Sequence, residues 1–312
     1  MSTACGSSII HWTLSVHWRK NSFLNHVSTW DFSTLYTSLP HAQLNKQLHD
    51  LLERVFTTKG KSFIAANNFH TFWTNDRMSR YTYFSCRKLC LATDFLIDNI
   101  YIRFGSSVFQ QVIGISVGTN STPLLADLFL HTFEYDFMVK TMKQDITKDI
   151  QFSNTFRYIN SLFSVNNMDL GNYISAIFAS ELELKDTSTS STEVCYLDTN
   201  IKTGDNTPFC ISIYDKREDF SFWIVNFPYM DSNIPANRTY GVYISQLVRY
   251  ARICTTKVDF INRLCGLSLR LGQQGFETNL LQKSFNKFFS RHGLIVEKYG
   301  AALQEMRLAI QA

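Results

Sequence analysis

Strand and helix patterns alternate along this chain, and that alternation obliges both kinds of element to share one core. The segment from Val27 to Tyr36 is short, rich in β-formers and followed by a turn. Behind Pro40, a helix-start signal, Leu44, Leu48, Leu51, Leu52 and Val55 recur at three- and four-residue spacing, so residues 42 to 57 read as a helix. Pro123 to Met138 repeats that spacing, with Leu124, Leu125, Leu128, Phe129, Thr132 and Phe133 on the expected inner face. A hairpin is expected from Phe104 to Gln111, and a loop holding Gly114 and Gly118 joins it to that helix. Phe156 to Val165 is a β-rich run broken by Asn160 and Ser161 and stopped by Asn166 and Asn167, hence a hairpin with a polar tip. Such an order gives a mixed α+β body rather than an all-α or all-β one.

Later segments change character. Val194 to Ile201, Phe209 to Tyr214 and Phe220 to Val225 read as strands, separated by the turn formers Gly204-Asp205-Asn206 and Asp215-Lys216-Arg217. After Pro228 the pattern is helical over Val242–Cys254, Val258–Leu271 and Leu280–Phe289. From Arg238 onward there are eleven Lys and Arg against four acidic residues, a net +7, which leaves −3 for the rest because the whole chain carries +4. A basic helical segment on a slightly acidic mixed body suits contact with a polyanion.

Composition excludes other classes. Apolar residues are 45% and charged residues 18%, with 26 Phe, too apolar for a disordered chain. The seven cysteines are odd in number and scattered, and Cys86 and Cys90 lack the spacing of a zinc knuckle, so they read as incidental thiols in a reducing, intracellular setting without a metal. The N-terminus shows no signal peptide and nowhere do about 18 apolar residues run together, so no membrane partner is expected, and nucleus and cytoplasm are not distinguished.

Asp31, at the end of the first strand in W-D-F-S-T-L-Y-T-S-L-P-H, stands where a sheet edge could present a carboxylate to a divalent metal. It is followed by the loop F-Q-Q-V-I-G-I-S-V-G-T-N-S-T-P-L-L-A-D-L-F-L and then by the hairpin R-Y-I-N-S-L-F-S-V-N-N. In order and wording these segments resemble motifs A, B and C of the reverse transcriptases of Penelope-like retroelements. Ile213 to Pro228 and Tyr240 to Cys254 are similar to the palm-to-thumb junction and first thumb helix of the same elements.

The resemblance implies a right-hand polymerase: an α+β palm of antiparallel sheet with packed helices over 31–227, a fingers insertion at about 42–108, a reduced fingers remnant at 1–30, and a mainly helical, basic thumb at 228–312. Arg19 and Lys20 are the only basic candidates ahead of Asp31, and the endonuclease domain usual in these elements is not expected. The family's chemistry uses two Mg²⁺ ions held by three carboxylates on a template–primer of RNA or DNA, with deoxynucleotides as substrates. Asp31 supplies the first carboxylate and is the expected metal ligand, but the other two catalytic positions hold Asn160 and Ser161. Tyr36 corresponds to the ring that closes off the sugar 2′-hydroxyl, and Gly118, Thr119 and Asn120 remain from the nucleotide-binding loop, in which Ser116 and Val117 replace Pro and Met. Lys216 and Arg217 match the turn that supports the primer end, and Arg249 and Arg252 lie on the first thumb helix. Asp186 takes the place of the motif D lysine, with Lys185 one place early and therefore expected on the wrong face of its strand. The implied function is a reverse transcriptase domain with lost or weakened Mg²⁺ binding and no catalysis, or a nucleic-acid-binding or protein-interaction module derived from one.

Overall fold

The computed structural model describes residues 25–299 save 205, 206, 223 and 234; Arg19, Lys20 and most of the 1–30 segment lie outside the described residues. The described residues fall into two compact units, residues 30–187 and residues 188–299 with 25–29.

Strand β1 (Val27–Phe32), whose residues from Trp30 on belong to the first unit, leads through helix α1 (Leu35–Ser38) into α2 (His41–Lys59). The β-rich run thus stops at Phe32, and Tyr36 sits on a helical turn. Strands β2 (Phe63–Ala66), β3 (Thr71–Thr74) and β4 (Thr82–Phe84) form a small antiparallel sheet, followed by α3 (Cys86–Asp98). The next hairpin, β5 (Tyr101–Phe104) and β6 (Ser107–Gln110), begins three residues before the expected Phe104, with Gly105 at φ +60° in its turn. Helix α4 (Thr122–Gln144) outruns the expected end at Met138, because Thr141 continues the buried stripe. Leu124, expected inside, is 58% exposed, whereas Leu125, Phe129 and Thr132 are buried.

Helix α5 (Ile146–Phe152) leads to β7 (Thr155–Tyr158) and β8 (Ser161–Val165), the hairpin read from the sequence, and α6 (Leu170–Ile177) precedes β9 (Leu184–Asp186). Four of these strands make one sheet in the order β7-β8-β1-β9. Phe32, Leu44, Leu48, Phe129, Leu162 and Leu170 belong to the core that joins this sheet to the helices.

In the second unit, β10 (Glu193–Tyr196), β11 (Thr199–Gly204) and β12 (Thr207–Ile213) form an antiparallel meander. The expected strand Val194–Ile201 is therefore two strands with a tight turn between them. Leu197 there has φ +55°, a left-handed conformation that sequence reading assigns to Gly or Asn. Phe220–Val225 forms no strand among its described residues. Its approach is a 3₁₀ turn, Lys216–Asp219, capped by the Asp215 side chain on the Arg217 N–H. Helices α7 (Ala236–Ile253), α8 (Lys257–Gln273) and α9 (Thr278–Val296) fall where the periodicity puts them and bury Tyr243, Leu247, Phe260, Leu264, Phe285 and Phe288. The six described cysteines are free thiols, and no helix among the described residues is long and apolar enough to cross a membrane.

Candidate functional site

The end of β1 and the tip of the β7–β8 hairpin meet, because β1 and β8 are neighbours in the sheet and the Phe32 N–H donates to the Asn160 carbonyl at 2.9 Å. The Asp31 carboxylate thereby faces Asn160 and Ser161, the two residues the sequence resemblance grouped with it. Asn160 Nδ2 donates to Asp31 Oδ1 at 2.8 Å, and Ser161 Oγ donates to the same oxygen at 3.0 Å. Hydrogen-bonded side chains at these positions attract the carboxylate where further carboxylates would repel it. Among the described residues, no group of three His, Cys, Asp or Glu side chains is placed to hold a metal ion.

The tip is fixed from behind by a residue whose role the sequence did not disclose. Arg157 is 8% exposed, and all five of its N–H donors are engaged. Nη1 donates to Asp127 Oδ1 at 2.6 Å and to the Ile159 carbonyl at 3.1 Å. Nη2 donates to the Asp127 carbonyl at 3.2 Å and to Glu134 Oε2 at 3.0 Å, and Nε donates to Glu134 Oε1. Arg157 therefore ties α4 to Ile159, which adopts φ +55° at the turn. Its only sequence signal was its place at the head of R-Y-I-N.

The glycine-bearing loop is pinned to the turn after Asp31. Gly114 N–H donates to the Leu39 carbonyl at 2.8 Å, Ile115 N–H to the Tyr36 carbonyl at 2.7 Å, and His41 Nε2 lies 2.6 Å from the Gly114 carbonyl oxygen. The half-buried Tyr36 phenol is pushed up by burial first and then by Tyr158 and Asp127. Gly118 has φ +117°, Thr119 Oγ1 lies 2.6 Å from Thr122 Oγ1 at the start of α4, and Asn120 is exposed. Asp31, Asn160 and Ser161 thus form one cluster, and Tyr36 joins the loop through its backbone.

Strand β9 reverses one expectation. Asp31 is the register partner of Lys185, and Trp30 that of Asp186. Directly opposed residues share a face, so Lys185 stands on the face of Asp31, and Asp186 is the residue turned away. Lys185 lies 3.4 Å from Glu183, whose carboxyl is held below its ordinary value by the Ser33 hydroxyl first and by Lys185 second.

In the second unit the expected phosphate-binding cations are sorted by their partners. Arg249 pairs with Asp198, while Arg252 is exposed in the last turn of α7. Lys216 lies on the 3₁₀ turn. Arg217 donates from Nε to Asp215 Oδ1 at 2.8 Å and from Nη2 to Oδ2 at 2.6 Å, and Arg270 Nη1 reaches the same Oδ2 at 2.6 Å. Burial alone would raise the Asp215 carboxyl, but the bonds from Arg217 and Arg270 outweigh it and hold the group well below the usual carboxylate range. A depressed carboxyl adds stability that is full above its unfolded value near 3.9 and is lost as pH falls through its folded value. Replacing Asp215 with Asn removes the anion of Arg217 and one of the two carboxylates that Arg270 contacts, and is expected to cost about 1–3 kcal/mol at pH 7. Urea unfolding checks this: the gap between the two proteins is expected to narrow as the pH is lowered below about 4.

No protein-family model matches the chain, and no curated protein matches it in sequence. Its fold is nevertheless that of a known class. The structure of telomerase from Candida albicans in complex with a TWJ fragment of telomeric RNA is similar over 98% of this chain and 50% of that one, with a TM-score of 0.53 and 11% identity. Apo telomerase from Candida tropicalis follows at a TM-score of 0.46 and 10% identity, over 98% of this chain and 48% of that one. Telomerase from Candida tropicalis with a TWJ fragment of telomeric RNA follows at 0.44 and 12% identity, over 95% and 43%. Of these three the first exceeds 0.5, and at such identity it speaks to fold alone. The chain spans about half the length of these telomerases.

Proposed function

We propose that the chain is a nucleic-acid-binding domain of reverse transcriptase type, related to Penelope-like retroelements, which holds a template–primer without extending it. One observation carries the reading: Asn160 and Ser161 both donate to Asp31 Oδ1, so the two positions that should offer metal-binding oxygens instead present hydrogens to the one carboxylate left. Two-metal phosphoryl transfer needs clustered anionic ligands, and this donor set does not fit a pair of Mg²⁺ ions. One lost unit charge at about 4 Å is worth roughly 4 kcal/mol at an effective dielectric of 20, on the order of a 10³-fold loss in rate, and here two are lost.

Three features support the nucleic-acid half of the reading. The order of motifs resembles that of a reverse transcriptase, the fold is similar to that of a telomerase solved with an RNA fragment, and the segment from Arg238 onward carries +7. In this reading residues 31–227 correspond to palm with inserted fingers and 228–312 to thumb, and the Tyr36 turn with the Gly114–Asn120 loop corresponds to the nucleotide site. Partners are an RNA or DNA template–primer.

The test is fluorescence anisotropy of a labelled RNA–DNA hybrid titrated with the full chain across salt concentrations. Binding whose log affinity falls steeply and linearly with log salt is expected, because phosphate contacts release counterions. No binding at low salt, or binding indifferent to salt, would contradict the reading.

A further inference from the structure

Helix α9, Thr278–Val296, contains nineteen residues and no Asp or Glu. Leu281, Phe285 and Phe288 are buried at helical spacing and fix the inward face. One flank of the helix exposes Lys283, Lys287 and Arg291 at i, i+4 and i+8. At 1.5 Å of rise per residue these cations are about 6 Å apart and span about 12 Å along the axis. Exposed Asn286 and Ser290 lie among them. None of the three is in an ion pair among the described residues.

Elsewhere in this unit the cations are largely committed. Arg249 is paired with Asp198, Arg217 with Asp215, Arg263 with Glu218, and Arg270 with both Asp215 and Glu218. Lys298 Nζ donates to the Cys254 carbonyl at 2.8 Å. Of the eleven cations counted from Arg238 onward, Arg249, Arg263 and Arg270 are therefore paired locally, and α9 carries a row with no ion pair among the described residues. An evenly spaced row of cations suits a ligand whose negative charges also repeat along a line.

We propose that the Lys283–Lys287–Arg291 face of α9 is the surface on which this chain binds the phosphodiester backbone of a nucleic acid. The proposal rests on the nucleic-acid reading above and assigns it to a helix other than α7, which carries the arginines that the sequence suggested. Three phosphate contacts contribute about 2.7 to the slope of log affinity against log salt, at about 0.9 per phosphate.

The test compares the full chain with the triple variant K283E/K287E/R291E in anisotropy titrations of an RNA–DNA hybrid between about 50 and 200 mM salt. All three positions are exposed, so thermal unfolding followed by circular dichroism is expected to match the parent. The triple variant is expected to lose roughly 100-fold or more in affinity at low salt and to show a slope shallower by about 3. Should it fail to fold, K283Q/K287Q is expected to show a slope shallower by about 2, and K283R/K287R to bind like the parent. A folded variant that binds like the parent overturns the assignment to α9 while leaving the nucleic-acid reading intact. Absence of any hybrid binding by the parent overturns both. Displacement of the hybrid by polyglutamate as readily as by unlabelled hybrid overturns the assignment to nucleic acid and points to an acidic protein partner.

Discussion

Aspartates placed at positions 160 and 161 are expected to destabilise the protein in the absence of divalent metal. In Asn160→Asp, Ser161→Asp, two donors that hold Asp31 Oδ1 at 2.8 and 3.0 Å become acceptors, and two negative charges join a third. A lost hydrogen bond to a charged group is worth about 1.5–3 kcal/mol, and the added repulsion is screened because the cluster is only half-buried. The net loss is expected at about 2–5 kcal/mol, read from the urea midpoint in the presence of a chelator. The tip cannot simply swing away, since Arg157 holds the Ile159 carbonyl and the Phe32 N–H holds that of Asn160. Mg²⁺ should then stabilise the double variant, by about 2.7 kcal/mol at 100 times its dissociation constant, and leave the parent unmoved. A double variant as stable as the parent without metal would show that the bonds from Asn160 and Ser161 contribute nothing.

The second large effect is expected at Gly114. It adopts φ +77°, and a Cβ there would lie 2.5 Å from the Tyr36 carbonyl oxygen and 2.9 Å from the Thr37 carbonyl carbon. Both neighbours are backbone atoms of the turn that follows Asp31, so neither can rotate away. The left-handed conformation costs a non-glycine residue about 1–2 kcal/mol, and overpacking adds about 1–3. Gly114→Ala is therefore expected to lower stability by about 2–5 kcal/mol and to loosen the bonds from Gly114 and Ile115 to Leu39 and Tyr36. Gly118 is the comparison, because its φ of +117° is strained for alanine but nothing lies within 4 Å of the added atom. Gly118→Ala should cost less, and equal losses in thermal unfolding would show that the contact with the Tyr36 turn is unimportant.

What the sequence disclosed was what depends on local period and order. The helices α2, α7, α8 and α9 follow from leucines and aromatics at three- and four-residue spacing, and the β7–β8 hairpin from its Asn-Ser interruption. Asp31, Asn160 and Ser161 were named from motif order, and the sheet order β7-β8-β1-β9 is what joins them. Misreadings arose where a distant partner decides the outcome. The face of Lys185 depends on register with β1, which no spacing within β9 reveals. The turn at Leu197 lacks a glycine signal, so one run of β-formers concealed two strands. Phe220–Val225 has strand composition but no partner strand among its described residues, and Phe220 and Phe222 are exposed. The cations were the least legible of all: Arg249 and Arg217 look free in sequence, yet Asp198 and Asp215 engage them across the fold or the turn.

Primer extension on an RNA template with Mg²⁺ or Mn²⁺ tests the central claim most directly, comparing the chain as it stands with the Asn160→Asp, Ser161→Asp variant at protein concentrations where both bind the hybrid. The account expects hybrid binding by both and no nucleotide added by the parent. Extension by the parent would contradict it, because some other group would then have to supply the anionic ligands that Asn160 and Ser161 lack.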